Sequence, residues 1–159
     1  MVLNGRAKKY RISEAVEQNV RRKAKEMGYQ PNSLAQGLRT GKTRTIGLIL
    51  GDVSNPFFSK IASCVEKEAA RYNYQVMFAS SDESSEKFER AAQMFLSKQV
   101  DGLIVAPTEN SEKIIMDIVK NRKPVVLIDR IVKEVPVDYV QIDNKDATYR
   151  LANLIIDQG

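Results

Sequence analysis

The sequence predicts an α/β fold: a doubly wound parallel sheet preceded by a short basic helical arm. Three observations carry this. Short apolar runs recur along residues 45–159, each suited to a strand buried on both faces. Amphipathic stretches at helical spacing separate them, and strict strand–helix alternation implies parallel strands, right-handed crossovers and helices on both faces. Charge is also divided. Residues 1–45 hold 11 Lys/Arg against 3 Asp/Glu, a balance of +8, and residues 46–159 hold 14 against 17, a balance of −3.

The elements follow in order. "ISEAVEQNVRRKAKEMGY" reads as an amphipathic helix with Ser13 as cap, Glu14 and Glu17 in its first turn, Lys23 and Lys25 toward its end, and Gly28 at its stop. Ile12, Val16, Val20, Ala24 and Met27 form its apolar stripe, which one helix cannot bury alone. "PNSLAQGLRTGKT" then opens like a short helix, with Gly37 in its interior and Leu34 and Leu38 exposed. "TIGLIL" (Thr45–Leu50) is the first strand. Asn55 caps the next helix and Pro56 is tolerated at its first position. Ile61, Cys64, Val65, Ala69 and Tyr72 share one face of that helix, so Cys64 is expected to be a small core residue.

"YQVMFA" (Tyr74–Ala79) is the second strand. Ser84 caps the helix that carries Phe88, Ala91, Ala92, Phe95 and Leu96. "DGLIVAP" is the third strand, followed by a helix with Ile114, Ile115, Ile118 and Val119, and "PVVLID" is the fourth. A short strand around Val140–Ile142 precedes a last helix from Asn144 to Asp157. Asp143 and Asn144 are read as the cap of that helix, with contact to a ligand as the alternative. Ligands of such sheets bind at the carboxyl ends of the strands. Three pieces of sequence lie there: "GDVSNPFF", "APTEN" and "DR".

Composition bounds the function. With 159 residues, one domain plus an appendage is the default. No apolar run approaches the roughly 20 residues that cross a bilayer, and no signal-peptide core follows Met1. One cysteine permits no internal disulfide. A cytoplasmic protein without membrane association is the expectation. The absence of histidine removes the commonest general base and metal ligand, and there is neither a G-x-G-x-x-G turn nor a P-loop. No catalytic residue, metal site or cofactor is expected. The basic arm suits a polyanionic partner, or else is a solvated tail.

Several separated motifs then stand in a familiar order: "VLNG", "GYQPNSLAQGLRTGKT", "TIGLI", "SNPFF", "VDGLIV", "IDR" and "DN". Together they span essentially the whole chain, which resembles the LacI/GalR family of bacterial transcriptional regulators. The resemblance implies three parts. Residues 1–30 are the remnant of a helix-turn-helix domain, residues 31–44 a hinge helix and linker, and residues 45–159 the first lobe of a periplasmic-binding-protein-like effector domain. It also implies departures. The chain begins inside the last turn of the reading helix and stops where the first lobe would cross to a second, so it reads as a fragment, with Met1 at an internal position of the pattern.

By that resemblance the hinge helix folds when a homodimer sits on operator DNA. Leu38 would wedge into the minor groove, Ala35 and Arg39 would contact the groove, and Asn32 would lie near the backbone. The physics agrees, since helices below about 12 residues are marginal in water and Gly37 costs about 1 kcal/mol more than Ala. Such a segment can fold on binding, and apolar wedges kink DNA. The alternative is that Leu34 and Leu38 pack onto the body.

The resemblance extends to a sugar or sugar-derivative effector. Phe57 and Phe58 would stack on the ring, while Asn55, Asp129 and Arg130 would hydrogen-bond its hydroxyls. For a polyol, Asp accepts and Arg donates in fixed geometry. The plainer readings are one core phenylalanine and a surface Asp129–Arg130 ion pair. The function implied is a ligand-responsive DNA-binding repressor of carbohydrate-utilisation genes. The alternative is a sugar-binding receptor lobe without DNA function.

Overall fold

The computed structural model describes residues 2–4, 7–29, 37 and 41–158. They fall into two compact units, Met1–Thr43 and Arg44–Gly159. The hinge residues Asn32, Ala35, Leu38 and Arg39 lie outside the described residues.

In the first unit, 3-10 turns at Val2–Asn4 and Lys8–Tyr10 precede helix α1, Glu14–Glu26. The acidic first turn and basic last turn stand as expected and complement the helix dipole. Ser13, however, is extended but makes no side-chain cap bond, a correction to its expected role. The C-terminus closes on Gly28 at φ +63, with the Tyr29 N–H donating to the Ala24 carbonyl at 2.8 Å. That six-to-one bond with a left-handed residue before it is the Schellman stop. Val2 and Ala7 are buried, but α1 itself buries nothing. Val16 is 51% and Met27 81% exposed. Among the described residues the stripe is not buried in a core, as the sequence suggested.

The second unit is a five-stranded, wholly parallel sheet in the order β2-β1-β3-β4-β5. The strands are β1 Thr45–Leu50, β2 Gln75–Ser80, β3 Gly102–Val105, β4 Val125–Ile128 and β5 Asp138–Val140. The helices are α2 Pro56–Arg71, α3 Ser85–Ser97, α4 Glu112–Lys120 and α5 Asn144–Asp157. β5 begins two residues before the expected Val140–Ile142, and Ile142 is exposed beyond it.

Strand β1 shows why its run is uniformly apolar. Ile49 faces a core with Phe88, Phe95, Ile115 and Ile118 from α3 and α4. Leu48 and Leu50 face the opposite core with Phe58 and Ala62 of α2. Both faces of the strand are thus dry. Gly47 sits under Phe95, where a Cβ would stand 2.5 Å from the ring's Cδ2.

The caps hold as read: Asn55 accepts from the Phe57 N–H, Ser84 from Lys87 and Asp143 from Asp146. The expected face of α2 holds in part, since Ala69 is buried and Ile61 and Val65 pack against the core. The buried face runs through Phe58, Ala62 and Ala69, while Cys64 and Tyr72 are exposed. The phase is set by Phe58, the large apolar group at the helix start, and this turns Cys64 out of the core. Helix α5 buries no side chain, so helices do not cover the sheet at that end as the alternation implied.

Candidate functional site at the strand ends

Four loops meet the carboxyl edge of the sheet, after β1, β2, β3 and β4. The loop after β1 is braced internally. The Ser54 hydroxyl and N–H both donate to Asp52, and the Val53 N–H donates to Ser80 Oγ at 3.3 Å. Asn55 then spends its side-chain oxygen on the Phe57 N–H at 2.9 Å, with Pro56 occupying the first helical position. Of the two phenylalanines, Phe58 is 5% exposed and belongs to the core, a correction to its expected stacking role, while Phe57 is 40% exposed. Their rings meet edge to face at 5.1 Å.

The loop after β2 carries two consecutive left-handed residues, Asp82 at φ 47 and Glu83 at φ 58. Ser81 is buried, and its hydroxyl donates to the Leu50 carbonyl. Asp82 accepts from Lys87 Nζ at 2.6 Å and from the Ser80 hydroxyl at 2.8 Å. Those hydrogen bonds, Lys87 first, hold its carboxyl below the usual range. The next carboxylate, Glu83, reaches across to Arg130 after β4. Nη2 donates to Oε1 at 3.1 Å and Nη1 donates to Oε2. Because the strand order is β2-β1-β3-β4, this pair crosses the ends of β1 and β3. The hydrogen bonds that Arg130 donates to Glu83 raise its pKa further, so the guanidinium stays protonated.

Asp129 adopts φ 68 and its N–H donates to the Val140 carbonyl at 3.0 Å. Its carboxylate is only loosely paired with Arg130, at 3.8 Å from Nε. The plain ion pair expected between these neighbours is therefore secondary to the one with Glu83.

Beneath this bridge opens a cleft of about 900 Å³. Its charged lining is Glu83, Glu109, Glu112 and Glu134 against Arg130 and Lys133. Thr108 lines it too. This residue is 5% exposed, and its Oγ1 has no hydrogen-bond partner among the described residues. A buried hydroxyl left unpaired costs free energy. Its carbonyl is occupied by the Ser111 hydroxyl at 2.7 Å, which fixes the loop.

Of the sequence-predicted effector residues, Arg130 alone lines the cleft. Asn55 caps α2 and Phe57 stands in its first turn, both outside that lining, as is Asp129 after β4. Glu83, Thr108, Glu109 and Lys133 were missed. Thr108 and Glu109 lie inside "APTEN", which the strand-end rule had already marked. Applying the same rule to the second strand would have marked "SDESS" and with it Glu83. No group of His, Cys, Asp and Glu that could hold a metal ion occurs among the described residues. No described helix is long and apolar enough to cross a membrane.

A parallel doubly wound lobe with a polar cleft at its strand ends defines a ligand-binding domain of the periplasmic-binding-protein type. Residues 43–159 match the family described as periplasmic binding proteins and sugar binding domain of LacI family, and the chain belongs to it. The probable HTH-type transcriptional regulator EndR of Paenibacillus polymyxa is 31% identical over 148 residues, covering 93% of this chain and 44% of that protein. The Cra transcriptional dual regulator from Pseudomonas putida, solved in complex with fructose 1-phosphate, is 30% identical with a TM-score of 0.68 over 72% of this chain and 43% of that one. A LacI family transcriptional regulator from Lactobacillus casei with bound glucose is 27% identical with a TM-score of 0.65, covering 72% of this chain and 43% of that one. The chain thus spans less than half the length of these relatives.

Proposed function

We propose that this chain is the DNA-proximal arm and first effector lobe of a ligand-responsive transcriptional regulator, a repressor of carbohydrate-utilisation genes that acts as a homodimer in the cytoplasm. The observation that carries the reading is the strand-end cleft, lined by Arg130 and Lys133, the four glutamates Glu83, Glu109, Glu112 and Glu134, and Thr108. Hydroxyl-rich ligands need such groups: a fixed donor fork and carboxylate acceptors. The relatives' ligands, glucose and fructose 1-phosphate, support a sugar or sugar derivative as effector. Asn55, Phe57, Asp129 and Arg130 supply the lobe's polar and aromatic contacts, and Asn32, Ala35, Leu38 and Arg39 meet operator DNA in the hinge.

Calorimetric titration of the chain with monosaccharides tests the cleft. Arg130→Ala and Asp129→Ala are each expected to weaken binding. Unchanged affinity in both removes these residues from the site.

The DNA role rests on the +8 balance of residues 1–45. Phosphate attraction is sequence-independent and falls steeply with salt. Sequence-specific binding needs roughly 4–10 kcal/mol beyond that level. The 159-residue chain is expected to bind duplex DNA weakly, with a steep salt dependence and little preference among sequences. Titration against operator-like and scrambled duplexes at two salt concentrations reads this out. Strong discrimination between the duplexes would place a reading element in the chain that this account lacks.

A further inference from the structure

We propose that Glu83 makes the strand-end cleft selective for uncharged polyols over phosphorylated sugars, by occupying the Arg130 fork that would otherwise grip a phosphate. This rests on the reading of the cleft as a sugar site and adds the chemical class of its ligand.

A guanidinium fork suits phosphate because two parallel N–H groups match two anionic oxygens. Here both terminal nitrogens of Arg130 already donate to the two oxygens of Glu83. Glu83 is held in place. Its neighbour Asp82 is tied to Ser80 and Lys87, and both residues are in the left-handed region. Its carboxylate also lies against Gly51, the residue after β1, where an added Cβ would collide with Oε1 and approach the Phe58 ring. The glycine leaves the room that the bridge uses.

The rest of the charged lining offers an anion a single other cation, Lys133, among three further carboxylates. Four carboxylates, Glu83, Glu109, Glu112 and Glu134, face two cations, Arg130 and Lys133, for a balance of −2. A phosphate dianion would have to expel Glu83 and then sit among three further carboxylates at close range, where like charges repel. A neutral hydroxyl meets none of this. It can donate to the spare lone pairs of the carboxylates and accept from N–H groups of Arg130 not given to Glu83. The ion pair thus presents donors and acceptors together while cancelling the charge of the one guanidinium fork in the lining.

The test uses the 159-residue chain, labelled for amide NMR at constant ionic strength. The probes are glucose, fructose, ribose and galactose, their monophosphates, and inorganic phosphate. Wild type is expected to show saturable shifts at Thr108, Glu109 and Arg130 with at least one neutral sugar. Its affinity for the corresponding monophosphate should be about tenfold weaker or worse, and inorganic phosphate should give no saturable shift. Glu83→Gln should gain phosphate affinity by about tenfold while keeping the neutral sugar. A purely structural role for Glu83 would not move the ratio between the two ligand classes. Saturable phosphate binding at Arg130 in wild type overturns the proposal, as does an unchanged ratio in Glu83→Gln. If only the monophosphates bind, the sugar reading stands and this inference falls. If no sugar of either class binds, the sugar reading fails and takes the inference with it. Should Glu83→Gln lose amide dispersion, the wild-type preference decides.

Discussion

Thr108→Val is expected to stabilise the lobe without weakening its ligand binding, because the hydroxyl oxygen it removes is buried out of reach of the cleft. Thr108 is 5% exposed and its Oγ1 is unpaired among the described residues. The folded state therefore carries the desolvation cost of a hydroxyl that water satisfies in the unfolded chain, about 1–3 kcal/mol for such a group. Valine keeps the branched shape and the backbone preference and removes the polar atom. The loop bond from Ser111 uses the carbonyl of residue 108 and so survives the change. Part of the cost returns through small differences in packing, which leaves a gain of about 1 kcal/mol. With a urea m-value of about 1–1.5 kcal/mol/M, the unfolding midpoint should rise by about 0.7–1 M. Thr108→Ser keeps the hydroxyl and loses a methyl, and it should be less stable than wild type. Circular dichroism in urea measures the stability, and sugar titration of the same samples measures the function. A Thr108→Val protein that is less stable than wild type would show that the hydroxyl is already satisfied.

Two further outcomes follow from the packing and the charges. Gly47→Ala places a Cβ 2.5 Å from Cδ2 of the fully buried Phe95, so overpacking of about 1–3 kcal/mol outweighs the strand's gain of about 0.5–1 kcal/mol from losing glycine. In combination with Phe95→Leu, urea unfolding should show a loss smaller than the sum of the two single losses, and strict additivity would contradict the contact. Asp82 has a depressed carboxyl pKa in the folded state, so its contribution is present above the unfolded value and is lost as pH falls through the folded one. Lys87→Ala, which removes the largest cause, should flatten the acid side of the stability–pH curve below about pH 4. An unchanged acid limb would mean that the Asp82–Lys87 contact is absent in solution.

The sheet was legible because its signals are local. "TIGLIL" has no polar position, and a strand with dry faces on both sides needs none. Helix α3 announced itself by Ser84 and by five apolar positions, of which four are buried and Leu96 is partly buried. Helix α2 was harder, because its apolar residues admit more than one face. Phe58 decides the phase, and nothing in the sequence ranks it above Cys64 before the packing is known. Ser13 has the right residue type for a cap and the right extended backbone, yet makes no cap bond. The site was legible only in part. Arg130 follows a strand directly and could be found from the strand-end rule. Its partner Glu83 lies 47 residues away, and their meeting depends on β1 and β3 lying between β2 and β4. Strand order is not written in any local pattern. The missing partner of Thr108 is likewise a property of the assembled loops.

The Glu83–Arg130 bridge has side chains that are about half exposed, 48% and 47%. Pairs in such settings contribute about 0–1 kcal/mol to stability, far less than the apolar groups beneath them. Charge recognition and structural integrity are therefore separable in this lobe. A substitution at position 83 that tolerates its left-handed backbone leaves the sheet intact, and under the proposal above it changes which class of ligand the cleft admits. Divergence toward a new effector can begin at a single surface codon, without a destabilised intermediate to cross.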